Sequence, residues 1–328
     1  MVRPWALLAA RATPLTAGLT VDVTGGVYPG FEYRPSISSF TLMAAEAGIS
    51  ARVSSRTRDI VTAAIQLWAA PGLHDWTMGY HFGQAYVLVP LGLQLPTIKV
   101  GQGVIPFGLL SDYDMHTQIV QSLYPLTLGQ RIDLGAGLQG SIAHTSYALW
   151  VANGTGPYRL DNDNNKVVTL RVAPKFLLGD AELTVGASGL VGRLPYWRLD
   201  SMMMQMAGPG QYRMRYRAAL DNTTDWGPLT LRLEAVTGKD SALGGPLVYG
   251  LYSEARYAVT DWLEPMVVHH HYQVSGQGRH QALAAGLTFT PPHQSVVNVQ
   301  AFYQTDWLDH RELHERTWNV ATQLTVRF

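Results

Sequence analysis

Cysteine is absent from the 328 residues. That excludes a disulfide scaffold, a thiolate metal site, a cysteine nucleophile and covalently attached c-type haem. Charge is scarce: 15% of the residues are Asp, Glu, Lys or Arg, against roughly 25% in an average soluble chain. The 24 basic and 24 acidic side chains cancel, so the basic excess of a nucleic-acid-binding protein is missing. Long apolar runs are missing as well. The longest, Trp5–Ala10 and Ala85–Leu95, fall well short of the ~20 residues that a membrane helix needs. No helical span is expected.

Glycine, with 32 residues, and aromatics, at 10%, are plentiful, which suits many strands joined by tight turns. Met1–Arg3 and Pro4–Ala10, followed by Ala10-Arg11-Ala12, have the order of a basic, an apolar and a small-residue cleavage region. Residues 1–12 therefore read as a weak secretory leader or its remnant, with a structured N-terminus as the alternative. Residues 13–328 read as one domain.

From about Ala17 onward the chain alternates at period 2. Trp318, Val320, Thr322, Leu324, Val326 and Phe328 make one face of the last segment, and Asn319, Ala321, Gln323, Thr325 and Arg327 the other. Tyr212, Met214, Tyr216 and Ala218 alternate in the same way with Arg213, Arg215 and Arg217. The segments run roughly 9–12 residues, the length that crosses a bilayer at a tilt. They number sixteen: 17–25, 38–49, 59–69, 77–90, 95–105, 131–141, 144–153, 166–176, 181–192, 211–220, 227–237, 247–258, 261–273, 279–290, 294–304 and 317–328. An even count is what a single-chain bacterial barrel requires. Every second connection is short, as at Ser141–His144 and Leu177–Ala181, with Ser50–Arg58 the longest of them and the poorest fit. The intervening ones are mostly longer, including Pro106–Gln130, Asn153–Asn165, Arg193–Gly210 and Gln304–Arg316. The expected fold is all-β: a transmembrane antiparallel barrel of about sixteen strands, with short periplasmic turns and longer extracellular loops, in the bacterial outer membrane.

Residues 106–130 form the longest connection and carry Phe107-Gly108-Leu109-Leu110 and Tyr124-Pro125. A wide barrel gives such a loop somewhere to go, inward across the pore. Its charged residues, Asp112, Asp114 and His116, are the candidates for the constriction.

The run Phe82-Gly83-Gln84-Ala85-Tyr86-Val87, then Ile98-Lys99-Val100-Gly101-Gln102-Gly103-Val104-Ile105-Pro106-Phe107-Gly108, resembles the G-x-x-x-x-P-F-G segment of the phosphate-selective porin O/P group of outer-membrane porins. Arg131, Gly135 and Tyr147 to Asn153-Gly154 resemble the next hairpin of that group. The terminal Phe328 resembles the C-terminal signal read by the barrel-assembly machinery. The resemblance implies a porin. It does not imply phosphate selectivity, because no Lys or Arg precedes Arg131 in the loop, and phosphate must exchange its hydration shell for cationic donors.

Charges on the lipid face cost about 2–4 kcal/mol at mid-bilayer, so the charged strand residues are expected to face the lumen. The basic set is Lys99, Arg131, Arg171, Lys175, Arg213, Arg215, Arg217, Arg232, Arg256 and Arg327, against Asp22, Glu46, Asp133, Glu182, Glu234 and Glu254. That surplus, with three arginines two apart on one strand, is either an anion-attracting ladder or a set of braces paired to carboxylates. Both readings stay open. In His269-His270-His271 only alternate members share a strand face, so His269, His271 and His280 are the set that can converge, as weak metal ligands or as a polar rim. Asp161–Asn165 lacks the Gly and Glu of a Ca²⁺ loop and reads as a solvated connection. Trp68, Trp76, Tyr80, Trp150, Trp226, Trp262, Trp307 and Trp318 lie near strand ends, as in an interfacial girdle.

No catalytic constellation is present, and no cofactor is expected. The expected function is a water-filled pore for small hydrophilic solutes with mild anion preference, in contact with outer-membrane lipid and self-associating as a trimer. The alternative is a sleeve that houses a periplasmic multihaem c-type cytochrome, whose haem the partner would supply.

Overall fold

The computed structural model describes residues 10–11, 18–34, 37–54, 59–71, 78–92, 95–111, 123, 127–128, 132–156, 161, 164–195, 212–240, 245, 247–276, 278–290, 295–308 and 311–327. The strands are β1 (Ala10–Arg11), β2 (Leu19–Arg34), β3 (Ile37–Ser54), β4 (Asp59–Pro71), β5 (Met78–Pro90), β6 (Thr97–Val104), β7 (Ile132–Ile142), β8 (Thr145–Ala152) and β9 (Val167–Leu178). They continue with β10 (Ala181–Pro195), β11 (Tyr212–Trp226), β12 (Leu229–Asp240), β13 (Leu247–Tyr257), β14 (Leu263–Val274), β15 (Gly278–Phe289), β16 (Ser295–Leu308) and β17 (Arg311–Arg327).

Each strand from β2 to β17 pairs antiparallel with the next. The ring closes where β17 pairs β2, from Val320 opposite Tyr33 to Arg327 opposite Gly26. Where β17 runs out, the two residues of β1 take over the edge of β2, with Ala10 opposite Val23 and Arg11 opposite Asp22. Closure leaves no unpaired edge in the bilayer, where an unmet backbone group costs several kcal/mol. Pro29 lies inside β2 at a register shift between Tyr28 and Pro29, a bulge being where a sheet tolerates a residue without an N–H.

The polarity is inside-out. Ile49, Leu67, Val100, Leu170, Leu220 and Leu283 are exposed on the outer surface, while Arg171, Arg215, Arg217, Asp221, Glu234 and Glu254 are buried within. A bilayer supplies the apolar solvent that the outer face needs. Trp226, Trp262, Phe176, Tyr257 and Phe289 stand exposed near the strand ends on the side of the chain termini, and Trp262 meets Phe289 edge-on at 5.3 Å between centroids. They form the aromatic girdle of that rim.

The long connections, 105–131, 153–166 and 196–211, all lie at the end away from the termini. Two expected boundaries are corrected. Gln304–Arg316 is not a long loop: β16 continues to Leu308 and β17 begins at Arg311. Asp221–Trp226 is not a turn but the end of β11. Both stretches are polar at successive positions, so the apolar alternation that marks a strand fades there although the hydrogen-bonded ladder continues.

Candidate functional site

After β6 the chain turns into the barrel. Ile105, Phe107 and Leu109, followed by Leu123 and Leu128, are buried against inward residues that include Val167, Leu190, Leu194, Val236, Val248, Tyr252, Met266 and Val268. The loop thus lies across the inner faces of β9 to β15. Apolar residues on an inner wall have no lipid to meet, and the loop's own side chains cover them.

Polar contacts fix the loop backbone to the same wall. The Gly108 N–H donates to Ser188 Oγ at 3.0 Å, and the Gly108 carbonyl accepts from Arg171 Nε at 3.0 Å. The short 3₁₀ helix Gly108–Ser111 begins there. Arg215 donates to the Leu128 carbonyl at 2.8 Å, and Arg217 Nε donates to the Thr127 carbonyl at 3.1 Å. Carboxylates hold these arginines in turn: Arg171 meets Asp221 at 2.6 Å, Arg217 meets Asp240 at 2.6 Å, and Arg215 stands 3.7 Å from Asp240. Gly108 has φ +55°, and a Cβ there would come within 2.2 Å of Glu234 Oε1. Only glycine fits both the left-handed backbone and that approach.

The braces are therefore the better description of Arg171, Arg215 and Arg217. They face inward as the strand phase predicts, but they are sealed beneath the loop instead of lining water. Arg213 is half-buried on the same face. Lower in the barrel, Arg232 Nη1 and Arg256 Nε meet Glu254 Oε1 at 2.6 Å and 2.7 Å. The Tyr252 hydroxyl donates to Glu254 at 2.7 Å, and Arg256 reaches Glu264 at 3.2 Å. The acids Asp221, Asp240 and Glu264 join the six acidic residues expected on the wall and cut its basic surplus to ten against nine. Asp221 has the same odd-numbered parity as Arg213, Arg215 and Arg217. Extending that phase past Leu220 finds it.

Lys99 is different. Its ammonium lies 4.4 Å from the centre of the Tyr86 ring and 5.6 Å from that of Trp150. No carboxylate among the described residues is within salt-bridge distance. Cation–π contact holds the group without cancelling its charge. Trp150 itself is 3% exposed and inward-facing, so it is not part of the outer girdle. Gly135 and Gly137 opposite it leave room for the indole, since a Cβ on either would come within 3.0 Å of the ring. The side chains of Trp68, Tyr80, Trp307 and Trp318, and Trp76 as a whole, lie outside the described residues.

Opposite the covered arc, the inward positions of β2 to β4 are small and polar, among them Thr20, Asp22, Thr24, Ser50, Thr62 and Gln66, and they are only half-buried. The described part of the loop covers one side of the lumen, and among the described residues none lies over this side. Asp133 is structural: it accepts from the N–H groups of Leu134 at 2.8 Å and Gly154 at 2.6 Å. Lys175 pairs with Glu182 at 2.5 Å across a hairpin, and Asp161 pairs with Lys166.

The expected convergence of His269, His271 and His280 is overturned. Tyr272 is opposite His280 in the register and His270 is opposite Ala282, so His270 shares the inward face with His280. His269 and His271 are on the other face. Run length alone does not fix strand phase. Asp112, Asp114, His116, Arg131 and Phe328 lie outside the described residues.

Solved structures similar to this chain are outer-membrane channels. The trimeric form of OmpT from Vibrio cholerae matches with a TM-score of 0.70 at 11% identity, over 95% of this chain and 100% of that one. The channel DcaP of Acinetobacter baumannii matches at 0.70 and 12%, over 97% and 99%. An anion-selective porin from Comamonas acidovorans matches at 0.70 and 11%, over 94% and 100%. The fold is that of an outer-membrane porin. No family model and no curated protein matches the sequence.

Proposed function

We propose that this porin-fold chain is a passive diffusion channel of the bacterial outer membrane, passing small hydrophilic solutes. The observation that carries the reading is the one-sided lumen. Arg171 on β9 and Arg215 and Arg217 on β11 pin the loop to its wall, while among the described residues nothing covers the polar inner face of β2–β4. A pore needs such a wetted strip, and a fixed loop sets its width without blocking it.

A weak anion preference is part of the proposal, and Lys99 is its source, because among the described residues it is a lumen-wall cation held by aromatic rings with no carboxylate at salt-bridge distance. The anion-selective Comamonas structure of the same fold supports this reading. The segment Ile98–Gly108 supports kinship with the phosphate-selective group, without its substrate. Assembly as a trimer, in contact with outer-membrane lipid, follows the trimeric Vibrio structure. Delivery by the barrel-assembly machinery, with Phe328 as the signal, completes the proposal.

A sleeve for a multihaem cytochrome would need an interior free along its length. Here Ile105, Phe107, Leu109, Leu123 and Leu128 occupy one side of it, and that favours the pore. Liposome swelling tests the choice. Proteoliposomes should swell in isotonic small sugars at rates that fall with sugar size, and swelling no faster than in protein-free liposomes would refute the pore.

A further inference from the structure

The lipid-facing surface of β9–β12 is not level. Leu170, Gly189, Ala218 and Thr237 occupy outward positions at one height, each directly opposite the next in the strand registers. Gly189 has no side chain, and a Cβ added there would meet nothing within 4 Å. Around this low floor stand the exposed side chains of Val191, Tyr216 and Leu220. The result is a groove of about 520 Å³, lined by Leu170, Gly189, Val191, Tyr216, Ala218 and Leu247 among others. Apolar residues surround it on an outer face that meets lipid.

A cation stands at one end of the groove. Lys239 also lines it, and is exposed and directly opposite Tyr216. As the last residue but one of β12, it lies at the long-loop end of the barrel, the extracellular end of such barrels. The cost of a lipid-face charge falls away at that depth, where a long side chain carries its ammonium to the headgroups. Among the described residues no carboxylate is within salt-bridge distance of Lys239. Arg193, opposite Met214, places a second cation on the same face, one outward position beyond Val191. The groove over β3–β6, lined by Ile49, Ala51, Ala63, Ile65, Val87 and Val100 among others, has no charged residue in its lining. Hydrocarbon alone suits that second groove. An apolar trough with a cation at its headgroup end is the complement of an acyl chain that leads to a phosphate. We propose that the outer face of β9–β12 binds one phosphorylated anionic lipid of the outer leaflet, with an acyl chain over Gly189 and Ala218 and its phosphate at Lys239. The proposal rests on the outer-membrane setting of the barrel and not on its conductance, so it stands or falls independently of the channel reading.

The test is a titration of the purified barrel in detergent micelles with bis-phosphorylated lipid A and, separately, with lipid A stripped of its phosphates. Native mass spectrometry counts the lipids bound. One phosphorylated lipid per chain is expected, held about fivefold tighter than the phosphate-free form, which is what one lysine beside an anionic headgroup contributes. Lys239→Gln should remove most of that difference. Gly189→Leu, which fills the groove, should weaken both lipids, and Ala63→Leu, in the uncharged groove, should leave both unchanged. Heat-modifiable migration in electrophoresis verifies that each variant is a folded barrel. If a variant does not fold, the comparison of the two lipids on the unaltered protein still decides. Equal affinity for the two lipids, a phosphate preference unchanged in Lys239→Gln, or affinity unchanged in Gly189→Leu would overturn the site.

Discussion

Arg217 and Asp240 meet at 2.6 Å on neighbouring strands, beneath the loop that fills one side of the lumen. The same guanidinium donates to the Thr127 carbonyl at 3.1 Å. One ion pair thereby ties wall to loop, and its partner geometry decides whether the loop stays in place.

Removing one member should therefore loosen the loop. Asp240→Asn leaves a buried guanidinium without its countercharge, a change that costs about 3–5 kcal/mol. The expected outcome is a lower unfolding temperature in detergent, together with noisier channel openings in planar bilayers. An unaltered thermal midpoint and quiet openings would show that the pair is not a brace.

Selectivity should follow Lys99 and not the arginine ladder. Lys99→Gln is expected to move the zero-current potential in a salt gradient toward cation preference, less so at high salt, where the Debye length falls to about 3 Å. Arg217→Gln should move it less, because Arg217 is buried beneath the loop and paired with Asp240, away from the water that the ions cross. Equal shifts for the two variants would return the ladder to contention.

Gly108→Ala tests the seat of the loop at a single atom. The added Cβ meets Glu234 at a position with φ +55°, and such backbone strain costs on the order of 1–3 kcal/mol. The variant should fold into a barrel with higher and more variable conductance. Conductance identical to the parent would mean that the backbone there has room to adjust.

Deleting Phe328 should lower the amount of barrel in the outer membrane more than it lowers the stability of barrels already assembled. Cell fractionation measures the first and thermal melting in detergent the second. Equal membrane levels of truncated and full-length protein would make the terminal aromatic incidental.

The strand pattern was legible because a bilayer outside and water inside impose period 2 on every crossing. It stopped being legible at Asp221–Trp226, where the inward acid pairs with Arg171 and polar residues follow one another, and at Gln304–Arg316, where polar residues again occupy successive positions. The inward loop was readable from its length, and its direction from the barrel's width. The role of Arg215 and Arg217 was not, since a cation facing inward gives the same sequence signal whether it meets water or a loop carbonyl. Asp240 lies beyond the last apolar alternation of β12, at the edge of the legible stretch. His270 was hidden by its neighbours, for a run of three histidines fits either strand phase until the register with β15 is known.

Single-channel recording of the purified barrel in a planar bilayer tests most directly whether the pore is open and narrowed by a loop fixed to one wall. Discrete steps of constant size, ohmic over modest voltages and larger in Asp240→Asn than in the parent, are the predicted result. A barrel that inserts yet passes no current would contradict the account.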